Sequence, residues 1–477
     1  MTDAPRPPRS DRNRSGARPG GKPRGKPHGK PHGKPAAASN PAPARPAAVA
    51  PADRPHADRA EALRLIGGVL EQGRSLAELA AGAPALAPAQ RARAGRLAAE
   101  TLRRAGQAEA VLKRFLRRAP PPAARHALML AAVEILALGV APHAAAGGAV
   151  EALRAQPGGE RLTGVVNAVA RKLAEQGPSP WAAQDAARAN MPGWMWGRLS
   201  SAWGAGAARR IAEAHLLAPP IDLTPKDPAR AADLAEALGA DLLPTGSLRL
   251  RERGQITALP GYEAGDWWVQ DAAAALPARL LGDVTGLRAL DLCAAPGGKT
   301  LQLAAAGAHV TALDIAATRL ERVSENLART GLTAEIVQAD ALDWEPDAPF
   351  DVILLDAPCS ATGTARRHPD MPHLRASLDL PGLTALQDAM LDRAAGWLKP
   401  GGRMVFATCS LLPEEGEMRA EAFATRGALA TVPADPQALG IPPDWVSERG
   451  FLRTRPDFWP DSGGLDGFFA AIFRKET

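Results

Sequence analysis

Three cysteines occur in 477 residues, and each closes an apolar run. Cys293 follows Leu287 to Leu292, Cys359 follows Phe350 to Leu355 with Asp356-Ala357-Pro358 between, and Cys409 follows Met404 to Thr408. Such runs predict buried strands of a sheet, and the carboxyl ends of those strands are where open α/β sheets keep their sites. A free cysteine is most often a small core hydrophobe. Three placed alike point instead to thiol chemistry with Asp356 as a neighbouring acid. So few cysteines argue for a reducing compartment and against a disulfide framework. No Cys-x-x-Cys pair and no nearby histidine pair is present, so no metal is expected.

The residues Cys293-Ala294-Ala295-Pro296-Gly297-Gly298-Lys299-Thr300 predict a tight turn, poor in side chains, that opens a helix at Lys299. Backbone N–H groups at such a turn face a ligand. A phosphate-binding P-loop requires glycine where Cys293 stands, and Pro296 removes a donor. The dinucleotide pattern G-x-G-x-x-G is also absent. Two further apolar runs, Val310 to Leu313 and Ile336 to Ala339, end in Asp314 and Asp340. An acid after the second strand can accept both hydroxyls of a ribose, and one after the third can take an adenine amino group. Ribose, adenine, a zwitterionic tail and no phosphate describe S-adenosylmethionine.

Two thiols and a carboxylate facing a methyl donor suggest one reaction in particular. Carbon 5 of cytosine is too weak a nucleophile to attack a sulfonium unaided, so a thiolate must first add at carbon 6. An acid near ring nitrogen 3 then stabilises the charge that develops. The attacking thiol, with an ordinary pKa of about 8.5, needs help to ionise.

The elements that must position these groups occupy four regions. Residues 1–57 carry 12 Lys+Arg against 3 Asp+Glu and the near-repeat Gly25-Lys26-Pro27-His28-Gly29-Lys30-Pro31-His32. This tail is expected to be disordered, with a spacing of cations that suits RNA. The other 420 residues carry 45 against 48, so an RNA surface there must be local. Residues 58–177 predict an Ala-rich all-α bundle: Leu63, Ile66 and Leu70 share one face, as do Leu162, Val165, Val166, Val169 and Leu173. Residues 178–285 predict a helical and mixed connection in which Trp181, Trp194, Trp196 and Trp203 serve as core. Residues 286–477 predict an α/β domain. No signal-like segment or long apolar run occurs, so a cytoplasmic chain off the membrane is expected.

The bundle, through Ala60-Glu61-Ala62-Leu63, Leu130 to Leu136 and Thr163 to Arg171, resembles the NusB-like RNA-binding domain. The catalytic half resembles the Sun/Nop family of RNA cytosine-C5 methyltransferases. That likeness rests on Asp291 to Thr300, Asp356 to Gly363, Arg366-Arg367-His368-Pro369-Asp370, Ala407 to Ser410 with Pro413-Glu414-Glu415, and Asp466-Gly467-Phe468-Phe469. The resemblance implies a class I, Rossmann-like fold and transfer from S-adenosylmethionine to cytosine carbon 5, with small-subunit ribosomal RNA as the substrate and a monomeric enzyme. It implies that Cys409 adds to carbon 6, that Cys359 assists release, and that Asp356 lies between cofactor and base. Cys293, Ala294, Ala295, Pro296, Gly297, Gly298, Lys299, Asp314 and Asp340 would line the cofactor, and Arg366, Arg367 and His368 would contact RNA. Transfer RNA as substrate and a noncatalytic RNA-binding scaffold are the alternatives. Keeping both thiols and the acid at strand ends argues against the scaffold.

Overall fold

The computed structural model describes residues 56–477 apart from 83–85, 253 and 428. The basic tail, save its last two residues, lies outside the described residues.

The first half is helical from Ala57 to His215. The helix Pro122–Leu136 starts on a proline, whose missing N–H costs nothing in a first turn. Its residues Leu128 to Val133 are all fully buried. An apolar surface on every side makes it the central helix, with neighbours packed around it. Leu63, Ile66 and Val69 of the helix Ala57–Gln72 meet Val166, Val169 and Leu173 of Thr163–Gln176 in that core. Val165 points the other way and is 37% exposed, because adjacent helical residues lie about 100° apart. Arg59 spans the core edge, donating from Nε (3.0 Å) and Nη2 (2.8 Å) to the fully buried Glu134.

The tryptophans are structural. Trp181 joins the bundle core, whereas Trp194, Trp196 and Trp203 pack in a second cluster with Met195, Leu199, Leu411 and Leu412. Trp194 Nε1 donates to Pro372 O (3.0 Å) and Trp203 Nε1 to Leu411 O (2.9 Å). Their helix, Gly193–His215, kinks at Gly204, whose φ of 78° is left-handed backbone that glycine tolerates. The bundle thereby rests on the loops that follow the catalytic strands. Leu76 N donates to Asp370 Oδ2 (2.8 Å), and Arg103 Nη2 to Arg366 O (2.8 Å).

Next comes a small antiparallel sheet of β1 (Asp222–Pro225), β2 (Ala240–Leu242), β3 (Leu248–Leu250) and β4 (Trp267–Val269), in the order β2-β3-β1-β4. The remaining strands form one large sheet: β5 (Arg288–Leu292), β6 (His309–Asp314), β7 (Glu335–Gln338), β8 (Phe350–Asp356), β9 (Leu398–Thr408), β10 (Ala430–Val432), β11 (Leu452–Arg453) and β12 (Phe469–Arg474). Its order is β10-β12-β9-β8-β5-β6-β7, with β11 beside β12. Strands β5 to β9 run parallel, and β12 pairs antiparallel with β9. After β5 the chain builds outward through β6 and β7, then returns to the other side of β5 with β8. That reversal opens a crevice at the carboxyl end of β5.

The buried Arg59–Glu134 pair yields a stability prediction. Removing one partner strands the other charge, so Glu134→Ala is expected to destabilise the chain by about 3–5 kcal/mol. The double replacement Arg59→Met/Glu134→Leu is expected to cost far less. Urea denaturation of the two variants beside the parent checks this.

Candidate active site

Strands β8 and β9 are in parallel register, with Asp356 opposite Ala407. Both leave the sheet at that level, so Cys359, three residues on, and Cys409, two residues on, come side by side. Their Sγ atoms are 3.5 Å apart. Contact with Cys409 and burial push the Cys359 thiol well above the usual thiol range. Cys293, at the end of β5, is also pushed up by burial, with nearby acids adding to the effect, and packs against the core below the crevice. That shift disfavours the thiolate a nucleophile needs.

Beside the pair lies Asp356, whose Oδ2 accepts from Lys299 Nζ at 2.7 Å. Lys299 stands in the first turn of the helix Gly298–Ala305, and its ammonium lies 5.2 Å from the Phe468 ring centroid. Burial works against its charge, yet Asp356 and the neighbouring Asp291 hold its pKa above the ordinary value. Lys299 is thus a fixed cation paired with that carboxylate.

The cofactor loop turns on Gly297, where φ is 103° and an added Cβ would stand 3.2–3.3 Å from Val323. Gly298 packs likewise on Gln270, which takes hydrogen bonds from Thr224 Oγ1 (2.8 Å) and Trp268 Nε1 (2.9 Å). The small sheet therefore backs the loop, a contact no local pattern announces. Asp314 accepts from Ala295 N (3.2 Å), Ala316 N (2.9 Å) and Arg319 Nη2 (2.7 Å). A carboxylate has about four acceptor positions, so one remains. Asp340 is exposed beyond the end of β7, and its carboxylate accepts from Leu342 N (2.9 Å).

A cleft of about 640 Å³ runs from this loop toward the small sheet. Cys293 to Pro296, Gly298, Lys299 and Asp356 line one side, with Asp271, Arg367 and Phe468 opposite. Neither Asp314 nor Asp340 lines it. At its floor Asp291 is wholly buried: Oδ2 accepts from Thr300 Oγ1 (2.6 Å), while Oδ1 has no partner among the described residues.

The expectation for Arg366 requires correction. Arg366 is fully buried, donates to Gly463 O (2.9 Å) and has its pKa pushed down to about 10 by that burial. It has no surface to offer RNA. Arg367 is tied down by Asp466 (Nε to Oδ2, 2.7 Å), by Asp271 and by Pro220 O (Nη1, 3.0 Å). Two carboxylates hold it in place, so it organises the cleft wall. Of the three, only His368 is exposed, and it lines the cleft.

Glu415 belongs to a family motif, yet its sequence context assigns it no role. It is buried and bridges the turns after both cysteines, accepting from Ser360 N (2.8 Å) and Ser410 Oγ (2.6 Å). The only local signal is an acid shortly after an apolar strand, a position that ordinarily reads as a solvated loop.

Burial raises the Asp291 carboxyl to about 7, against the Thr300 hydrogen bond and Lys299. Its unfolded value is about 3.9, so the folded chain holds an extra proton between those values. Stability from this group is full below about pH 4 and is lost as pH rises toward 7. Asp291→Asn is expected to flatten the decline and to raise stability at pH 8 by up to a few kcal/mol, because a tenfold change in proton affinity is worth about 1.4 kcal/mol. Denaturation midpoints at pH 5 and pH 8 measure it.

Known proteins agree with both halves. Residues 278–474 match the family described as 16S rRNA methyltransferase RsmB/F, and residues 56–175 match the NusB family. Ribosomal RNA small subunit methyltransferase B of Xanthomonas campestris is 37% identical over 440 residues, covering 88% of this chain and 98% of the relative. The same enzyme of Erwinia tasmaniensis is 35% identical over 448 residues, with the same coverage. Among solved structures, PH0851 superposes with a TM-score of 0.68 at 21% identity, covering 87% of this chain and 99% of its own. NSun6 from Pyrococcus horikoshii, solved with SFG, gives 0.50 at 19%, covering 60% and 98%. These two speak for the fold. With relatives above a third identical along almost their whole length, the chain belongs to the RsmB/F family of 16S rRNA methyltransferases, in the branch with a NusB amino-terminal half.

Proposed function

We propose that this chain forms 5-methylcytosine in small-subunit ribosomal RNA with Cys409 as the nucleophile, Cys359 as its proton partner and S-adenosylmethionine as the donor. The observation that carries the reading is the pair of Sγ atoms at 3.5 Å beside the Lys299–Asp356 ion pair. Two thiols in contact have no packing purpose that one would not serve. A fixed cation and acid next to them match the charges that develop when a thiolate adds to a pyrimidine.

The residues at the loop fit the donor. The unpartnered Asp291 Oδ1 offers an acceptor to a cationic amino group, Asp314 retains acceptor capacity for a ribose, and the turn at Gly297 brings bare backbone forward. S-adenosylmethionine, when bound, supplies an electrophilic methyl group. Cys293 to Lys299, Asp291, Asp314 and Asp340 would hold it.

Cys409 gives up its proton to solvent, and its thiolate forms a bond to carbon 6 of the cytosine. The carbon 5–carbon 6 double bond supplies the electron pair that carbon 5 uses, and Asp356 with Lys299 steadies the ring at nitrogen 3. Carbon 5 then carries both the new methyl and its old proton. Cys359 passes its own proton to Cys409 as the carbon 6–sulfur bond breaks, and takes up the carbon 5 proton in exchange. Both thiols end protonated and the double bond is restored. The target base must leave its stack to reach the crevice, as for other enzymes that act on a base.

Cys409→Ala is expected to abolish transfer, and Cys359→Ala to accumulate chain covalently joined to RNA. Radiolabelled methyl transfer to free small-subunit RNA, assembled small subunits and bulk transfer RNA, with denaturing gels for the adduct, tests both roles and the substrate. Label on transfer RNA alone would overturn the substrate. Full turnover by Cys359→Ala without adduct would overturn its role.

A further inference from the structure

Glu415 lies outside the cleft yet touches both cysteine-bearing turns. It sits in the single turn Pro413–Glu415 after β9 and is wholly buried. Its Oε1 accepts from Ser360 N (2.8 Å) and Gln387 Nε2 (3.2 Å). Its Oε2 accepts from Ser410 Oγ (2.6 Å) and from Ser360 Oγ. Ser360 is the residue after Cys359, and Ser410 the residue after Cys409. Among the described residues no lysine or arginine forms an ion pair with it. A carboxylate without a cation is costly to bury, and four neutral donors on its two oxygens are what lets it stay.

The clip is braced from both sides. Ser410 Oγ accepts from Leu412 N (3.0 Å), Thr362 Oγ1 accepts from Leu411 N (2.8 Å), and Gln387 Nε2 also donates to Pro358 O (2.8 Å). Packing alone would close this space with apolar side chains at less cost. We propose that Glu415 is the positioning residue of the thiol pair: by tying Ser360 to Ser410 it sets the contact between Cys359 and Cys409.

The charged groups around the pair are few. Lys299 and Asp356 face Cys409 from the cofactor loop and β8, and Glu415 lies behind Cys359. Arg453 donates to Ser410 O and is neutralised by Glu417 (Nη2 to Oε2, 2.6 Å). Contact with Cys409 and burial raise the Cys359 thiol, and the Glu415 charge adds to them.

This inference rests on the roles proposed above for the two cysteines, and its test reads the thiols without RNA. In the full chain, iodoacetamide alkylation of Cys359 and Cys409 is followed against pH by mass spectrometry. Glu415→Gln keeps the shape and removes the charge. The alkylation midpoint of Cys359 is expected to fall by about one pH unit, with about a tenfold loss of kcat and an unchanged KM for RNA. Unchanged profiles in a folded Glu415→Gln chain would overturn the proposal. Should glutamine unfold the chain, Ser410→Ala and Ser360→Ala decide: each removes one strand of the clip and is expected to shift the profiles the same way by less. Methyl transfer that survives loss of Cys409 would overturn the catalytic roles, while the profiles still decide for or against Glu415.

Discussion

The parallel pairing of β8 with β9 is the constraint on which the site depends. Neither strand has chemistry of its own. Their register fixes Asp356 opposite Ala407, and the two exits that follow bring Cys359 and Cys409 into contact although fifty residues separate them. A slip of one residue would turn one thiol to the opposite face. Fully buried residues on both sides, Ile353 and Leu355 on β8 with Met404 and Phe406 on β9, make such a slip expensive.

Around that contact the chain buries several charges, and two of the cations are matched by carboxylates. Lys299 is neutralised by Asp356, and Arg367 by Asp271 and Asp466. Asp466 is pushed up to about 7 by its burial and by Asp271. Such groups do little for stability. Their value is in geometry: a guanidinium held by two carboxylates cannot turn away, and the wall of the cleft keeps its shape. The small sheet contributes in the same manner, since Gln270 braces the cofactor loop from a separate layer.

The helical half is more than a neighbour. Arg103 donates to the carbonyl of Arg366, and His373 Nε2 meets Leu102 O (3.0 Å). Trp203 reaches the carbonyl of Leu411, two residues beyond Cys409. The loops that carry the site's walls are thus held from outside by the bundle and its tryptophan helix. In this chain the two halves share a packed surface.

Local sequence determined the elements and their order. Apolar runs ending in Asp or Cys mark the parallel strands, proline starts and glycine turns mark the helices, and Cys293 to Thr300 marks the ligand loop, because each signal lies within a few residues of its effect. The tryptophans as core were legible for the same reason. Tertiary structure alone decided which polar residues face the crevice. Arg366 reads as a cation for RNA, yet its burial against Gly463 and Arg103 makes it scaffold. Glu415 looks like a loop acid and holds two turns together. A side chain's partners come from segments far away in sequence, and the free energy of a charge depends on those partners and not on its neighbours in the chain.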